Sequence, residues 1–424
     1  MMPKRPVPPR IKDIVSLKFP ELEKRHLMNG APYYWIDSGT QEVVRIEIAF
    51  RAGHIYEQTP LVAGAAIRLL KEGTHHYSAA QIAEQLDFYG CTLHLVSGLD
   101  TSSIVLYCLS KQLDKALPIL EEMLAAPQFP EAEVAAYKKR RIRQLAIDLN
   151  QNDEVADRRF TELVFGPAHP YGYNGSEQGY RSLTRKQIQD HFHRLYNQAN
   201  CTLFVSGRLR EGQLKKIDEC LSRSIPEGKA SPPVLPVLPA TPSRALIKMP
   251  GTLQTSIRIG RRLFTRHHED YQGMYVLNTI LGGYFGSRLM ANLREDKGYT
   301  YNVYSAIDTM QYGGSFQIGT ETAVDYAEEA REQIYIELKT LAEQLVTDEE
   351  MRMVRNYLQG TFLGMLDGPF KLAKLARSMA MDGLPFYHFN QLAETVRSIS
   401  SEELRALAAQ YFEKESLWEV IVGP

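Results

Sequence analysis

The period of the apolar residues changes along the chain, and the changes mark out its elements. In "EVVRIEIAFRAG", Val44, Ile46, Ile48 and Phe50 alternate with Arg45 and Glu47. Strict alternation turns one set of side chains inward and the other towards water, which predicts a half-buried strand. "TSIRIGRRL", from Thr255, repeats the pattern. An apolar helical run follows each strand, over residues 61–72 and 271–281. A second helix comes next in each half, then a glycine, then two strands. The first of these helices opens on a capping box, Ser78 with Gln81, and stops at Gly90; its counterpart stops at Gly298. Long helices are expected over residues 131–150, 325–345 and 348–366.

The two halves also end alike. "SLTRKQIQDHFHRLYNQANCTLFVSG" from Ser182 aligns without a gap to "SISSEELRALAAQYFEKESLWEVIVG" from Ser398, an offset of 216 (398 − 182). Ile188 matches Leu404, Tyr196 matches Phe412 and Gly207 matches Gly423, and Ser400 with Glu403 forms a second capping box. Between the halves lies "PEGKASPPVLPVLPATP", whose six prolines favour an extended, semi-rigid linker. The expected fold is α+β: two homologous repeats, each an antiparallel sheet covered on one face by helices, forming a clamshell. The domains fall at residues 1–225 and 244–424, joined by a linker at 226–243.

Composition narrows the function without naming it. A chain of 424 residues with 44% apolar and 23% charged residues is an ordinary soluble globular protein, too long for one core. Its net charge of −1 gives no long-range attraction to nucleic acid or to an anionic membrane. The one basic cluster, "YKKRRIR" from Tyr137, reads as the solvated face of a long helix, because Glu131 and Glu133 precede it and Asp148 follows. The opening "MMPKRPVPPRIKDIV" is basic and proline-rich, lacks an apolar segment and is not a signal peptide. Cys91, Cys108, Cys201 and Cys220 lie far apart with no C-x-x-C pair, which points to buried, reduced thiols and a cytoplasmic location.

Three stretches carry a family resemblance. "GGYFGSRLMANLREDKGYTYNVYSA" from Gly282 resembles the C-terminal-half signature of the pitrilysin or insulinase-like zinc metallopeptidases, processing peptidases included. "KEGTHHYSAAQIAEQLDFYGCTLHL" resembles the segment after their zinc helix, and "HPYGYNGSEQGYRSLTRKQIQDHFHRLYNQANCTLFVSG" from His169 resembles their next stretch. The resemblance implies an inverted zinc motif, H-x-x-E-H, on the first helix, with two imidazoles on one Zn²⁺ and the Glu as general base. In this chain those positions are Gly64, Ile67 and Arg68. The region of the third ligand, "RQLAIDLNQND", offers Ile147 with Asp148 beside it. No two of the eleven histidines lie three or four apart; His191 and His193 are two apart, and scattered surface histidines are expected. No metal or other cofactor is expected in this chain, and no independent activity.

Arg294 and Tyr301 match the other half of the family's machinery. By resemblance, the Arg grips a substrate carbonyl and the Tyr hydroxyl donates to the oxyanion of the tetrahedral intermediate. On residue type alone they are a helix-end cation and a strand aromatic. Matched through Gly90 and Gly298, their first-half counterparts are Leu86 and Leu93, so the scaffold itself requires neither a charge nor a phenol there. Gly282 and Gly283 end a helix; no strand–Gly-x-Gly-x-x-Gly–helix order makes them a phosphate loop. The resemblance therefore implies a non-catalytic subunit of a heterodimeric zinc peptidase. Its partner would be a homologous subunit bearing H-x-x-E-H and zinc, and its substrate an extended, unfolded peptide. The alternative is a structural or assembly protein of the same fold, as the family's core subunits of a respiratory complex are.

Overall fold

A computed structural model describes residues 17–238 and 241–424. The basic opening stretch and two positions of the proline-rich run lie outside the described residues. The first half contains β1 (Lys24–His26), β2 (Pro32–Ile36), β3 (Val43–Phe50), α1 (Val62–Arg68), α2 (Ala79–Phe88), β4 (Thr92–Ser97) and β5 (Ser102–Leu109). It continues with α3 (Leu113–Ala125), α4 (Glu131–Asp148), α5 (Asn152–Phe165), α6 (Glu177–Ser182), α7 (Arg185–Leu195), β6 (Cys201–Gly207) and α8 (Glu211–Ser224). The second half contains β7 (Arg244–Lys248), β8 (Gln254–Leu263), α9 (Tyr271–Gly282), a π-helical segment (Met290–Asp296), β9 (Thr300–Met310) and β10 (Gly313–Ala323). It ends with α10 (Ala327–Glu343), α11 (Asp348–Met365), α12 (Pro369–Met381), α13 (Tyr387–Ser398), α14 (Ser401–Tyr411) and β11 (Trp418–Gly423).

The caps form as their spacing predicts. Ser78 Oγ accepts from Gln81 N at 3.3 Å while Gln81 Oε1 accepts from Ser78 N at 2.9 Å. Ser400 and Glu403 repeat the exchange at 3.1 and 2.8 Å. Gly90 and Gly298 both adopt the left-handed conformation, at φ +64° and +66°, where a side chain would be strained.

The strands form two sheets, in the orders β1-β2-β6-β3-β5-β4 and β7-β11-β8-β10-β9. The order β2-β6-β3-β5-β4 recurs as β7-β11-β8-β10-β9, so the repeat in the sequence is a repeat in space. All pairs are antiparallel except β2 with β6 and β7 with β11, one parallel pair in each sheet. β4 and β9 are the matching free edges. Among the described residues, no helix is long and apolar enough to cross a membrane.

One expectation about the strands fails, for an instructive reason. Arg45 and Glu47 were expected in water, yet they are 2% and 3% exposed. Helix α12 of the second half packs against β2 and β6, and α5 of the first half packs against β8 and β11. Each repeat thus lends one helix to the other repeat's sheet, on the face its own helices leave open. The charged side of β3 is buried beneath α12. Glu47 pairs there with Arg45, and its second oxygen lies 2.6 Å from Arg377 Nε of α12. On the other sheet Arg258, 4% exposed, pairs with Asp157 of α5. The apolar cores interlock as well: β11 residues Trp418, Val420 and Val422 join the first core, while Ile36, Ala49 and Phe204 join the second.

The β9–β10 turn makes another contact between the halves. Asp100 Oδ2 accepts from Gln311 N at 2.9 Å, and the Tyr56 and Tyr312 hydroxyls lie 3.2 Å apart.

Candidate functional site

Helix α1 holds the positions of the expected metal motif. Its first turn is capped by Glu57, which accepts from Leu61 N at 3.0 Å, Ala63 N at 2.7 Å and the Tyr173 hydroxyl at 2.5 Å. Burial nevertheless pushes the Glu57 carboxyl up to about 7. A Cβ on Gly64 would stand 3.5 Å from the Tyr137 hydroxyl and 3.7 Å from Ser97 Oγ. Ile67 is wholly buried in the core, and Arg68 is exposed. Zinc does not fit these residues: a glycine and an isoleucine offer no donor, and a guanidinium repels the ion. Among the described residues, no three His, Cys, Asp or Glu side chains gather closely enough to hold a metal.

Helix α4 faces this site with different residues than the sequence suggested. Ile147 is 54% exposed, and Asp148 accepts from Gln144 Nε2 at 2.8 Å. The side chain opposite Gly64 is Tyr137, whose hydroxyl burial pushes up to about 12. The run from Tyr137 is not simply a solvated face. Tyr137 is 5% exposed, Lys138 Nζ donates to Leu183 O at 2.8 Å, and Arg140 and Arg141 line a cleft against α1. Most of the histidines are exposed, as expected, but His169, His191 and His388 are buried.

The second candidate site is built where α9 runs into β9. A Cβ on Gly282 would fall 2.4 Å from Ser305 N, so only glycine lets the helix end press against that strand. The chain then enters the π-helical segment, whose wide turn carries Arg294. The Arg294 guanidinium lies 4.7 Å from the centre of the Phe285 ring, a cation–π contact. Phe285 is itself 59% exposed. Beyond Gly298, β9 opens on an irregularity: Thr300 pairs with Thr322 and Val303 with Thr320, leaving Tyr301 and Asn302 opposite Glu321 alone. Threonine hydroxyls hold this bulge, with Thr320 Oγ1 donating to Asn302 O at 2.9 Å and Thr300 Oγ1 to Glu321 O at 2.6 Å. A bulge re-aims the side chains it carries, and Tyr301 is 90% exposed. In the first half the matching Leu86 is buried and Leu93 half-buried.

Two family models match the chain. Residues 35–165 match insulinase (peptidase family M16), and residues 182–358 match the peptidase M16 inactive domain. The chain belongs to the M16 family. This M16 chain is 23% identical over 394 residues to YmxG, an uncharacterized zinc protease of Bacillus subtilis, covering 91% of this chain and 95% of that one. It is 25% identical over 379 residues to Rv2782c, an uncharacterized zinc protease of Mycobacterium tuberculosis, covering 86% and 84%. Among solved structures it resembles a peptidase M16 inactive domain from Pseudomonas fluorescens, with TM-score 0.86, 22% identity and 95% and 98% of the two chains covered. A protease from Helicobacter pylori gives a TM-score of 0.88 at 16% identity, covering 96% and 100%. These likenesses establish the two-domain M16 fold. They leave the chemistry to the residues, and in this M16 chain α1 has none of the motif's donors.

Proposed function

We propose that this M16 chain is the non-catalytic subunit of a heterodimeric zinc peptidase. It supplies Arg294 and Tyr301 to the active site of a homologous partner carrying H-x-x-E-H. Zinc on that partner supplies the activated water. Tyr301 donates its hydroxyl proton to the oxyanion that develops on the scissile carbonyl, and Arg294 holds a neighbouring backbone carbonyl. The substrate is an unfolded peptide, held extended along a sheet edge by backbone hydrogen bonds. The four cysteines are buried and free, which suits a reducing, cytoplasmic setting.

One contrast carries the reading. α1 is stripped of metal donors, while on the free-edge side of the second sheet a bulge turns Tyr301 outward and a π-helical turn carries a half-buried Arg294 against Phe285. A chain with only a scaffolding role has no use for a 90% exposed tyrosine there. The assembly role remains the other reading, since a chain of Complex III2 from Candida albicans shares the fold at TM-score 0.76 and 11% identity.

The test is purification of the tagged chain from its source, with identification of what accompanies it and assay of both forms. An M16 partner bearing the zinc motif should co-purify. The pair should hydrolyse an unfolded peptide, and the isolated chain should neither do so nor retain stoichiometric zinc. Hydrolysis by the isolated chain, or co-purification with a non-proteolytic complex alone, would overturn the proposal.

A further inference from the structure

A hollow of ≈ 400 Å³ lies between the repeats, lined by no residue of α1 or of the Arg294–Tyr301 stretch. The end of α5 gives it Phe165, with His169 just beyond, and the end of β8 gives it Arg261 and Arg262. Arg258, Arg266 and Arg288 answer their burial by pairing with Asp157, Asp382 and Glu350. Arg261 and Arg262 are half-buried too, yet among the described residues neither has an ion-pair partner. Neutral oxygens hold them instead. Arg261 Nη1 donates to Ser416 Oγ at 2.8 Å and to Tyr411 O at 3.1 Å, and Arg262 Nη1 donates to Val164 O at 3.2 Å. Glu413 and Glu415 line an adjoining hollow that shares both arginines, but pair with neither. Burial lowers the pKa of both guanidinium groups, the mark of a charge short of compensation, and both stay protonated even so.

His169 adds a neutral donor to the same hollow. It is 4% exposed, and its Nδ1 accepts from Tyr171 N at 3.0 Å, which places the ring proton on Nε2. Burial and the Arg262 charge lower its pKa, so the ring is uncharged at neutral pH. Among the described residues, Nε2 has no hydrogen-bond partner. A donor on so deeply buried a side chain, without a protein partner and on the wall of a hollow, is a place for a ligand oxygen. The remaining walls are rings. His169 stacks on Phe165 with 5.8 Å between centres, Phe264 meets Tyr411 edge-on at 5.5 Å, and Tyr312 stands at the β9–β10 turn. Such walls favour a flat apolar body over a bare ion.

We propose that this hollow binds an aromatic phosphomonoester. Such a group carries a charge of about −1.5 to −2 at pH 7 and answers two arginines, where a carboxylate would answer one. Its oxygens accept from Arg261, Arg262 and His169 Nε2, and its ring lies against Phe264, Tyr411 and Tyr312. Phe165 and His169 belong to the first repeat and the arginines to the second, so the bound ligand ties the repeats together. The site lies entirely within this chain and does not depend on pairing with a zinc-bearing subunit.

Isothermal titration calorimetry of the intact, isolated chain tests this with two probes, phenyl phosphate and AMP. At least one should bind saturably, weaken with added salt and raise the melting temperature. The tighter of the two shows whether the ring is carried on the phosphate directly or on a nucleoside. Inorganic phosphate should bind roughly tenfold more weakly for want of the ring, and phenol and adenosine should not bind. Arg262→Gln should weaken the better probe roughly tenfold to a hundredfold, the range for losing hydrogen bonds to charged groups. Tyr312→Ala changes an exposed wall residue and should weaken that probe while leaving inorganic phosphate unchanged, so the ring contact is tested even if Arg262→Gln does not fold. Failure of both probes to bind would overturn the proposal, as would undiminished binding by either folded variant. So would inorganic phosphate binding as tightly as the probes, which would mark an anion site with no use for its aromatic walls.

Discussion

Arg377 Nε of α12 lies 2.6 Å from Glu47 Oε1 of β3, so a side chain of the second repeat completes a buried ion network in the first. Glu47 also pairs with Arg45, and Arg377 Nη2 donates to Thr101 Oγ1 at 2.6 Å and Ser103 Oγ at 3.1 Å. The partners are not equivalent. Removing Arg377 leaves Glu47 with Arg45, whereas removing Glu47 leaves Arg45 and Arg377 facing each other. Glu47→Ala should therefore destabilise the protein by roughly 3–5 kcal/mol, as expected for breaking a buried pair, and Arg377→Ala by less. Denaturant unfolding of both variants checks the order.

The exchange of α5 and α12 also bears on how the halves fold. Fragments spanning residues 1–225 and 244–424 should each be insoluble or aggregated when produced alone, because each leaves a sheet face uncovered. Co-expressed, they should be recovered as a complex by size-exclusion chromatography. Two separately soluble, folded fragments would show that the lobes are independent.

Arg294 and Tyr301 can be tested in the reconstituted pair. Tyr301→Phe keeps the ring and removes the hydroxyl, and should lower turnover roughly 10²–10³-fold if one oxyanion donor is lost. Arg294→Ala should act more through KM, as expected for a grip equally strong on substrate and transition state. Phe285→Ala removes the aromatic surface against the guanidinium and should give a weaker version of the arginine phenotype. None of the three should shift the melting temperature much. Unchanged hydrolysis in all of them would reduce the pair to a helix-end cation and a strand aromatic.

A buried histidine and a half-buried glutamate impose opposite pH dependences. His191 is buried, its Nε2 lies 3.2 Å from Ala52 O, its Nδ1 has no partner among the described residues, and burial lowers its pKa to about 4. Its contribution is complete above the ordinary value near 6.5 and is lost as pH falls through 4; a shift of this size is worth roughly 3 kcal/mol. Glu57 is raised to about 7, so its contribution is complete below 4.5 and is lost as pH rises through 7. Melting curves from pH 4 to 8 should show His191→Gln flattening the acid side. Glu57→Gln should remove a loss of stability that otherwise accompanies the rise to pH 7.

What the sequence disclosed was local. The alternation at Val44, Ile46, Ile48 and Phe50, the Ser78/Gln81 and Ser400/Glu403 boxes and the stops at Gly90 and Gly298 are each decided by neighbours a few residues away. What it concealed depends on partners far along the chain. Alternation reports that Arg45 and Glu47 share a face but not that α12, more than three hundred positions later, covers it. The outward turn of Tyr301 depends on Thr320 and Glu321 of the neighbouring strand. Phe285 lay inside the most informative stretch, but nothing in its spacing showed that it would stack on Arg294. In the basic run from Tyr137, Lys139, Arg140 and Arg143 are exposed as their spacing predicts, but Tyr137 is buried because the helix it faces is brought there only by folding.

The reciprocal lending of α5 and α12 is the arrangement of a closed two-fold dimer. A polypeptide made of a single repeat would cover its charged strand face by giving its helix to a second copy of itself and receiving one in return. Gene duplication with fusion through a proline-rich run turns that swap between molecules into one within a molecule. It also releases the copies from identity. In this chain one copy gathers cations where a metal motif would stand, and the other alone presents an arginine and a tyrosine.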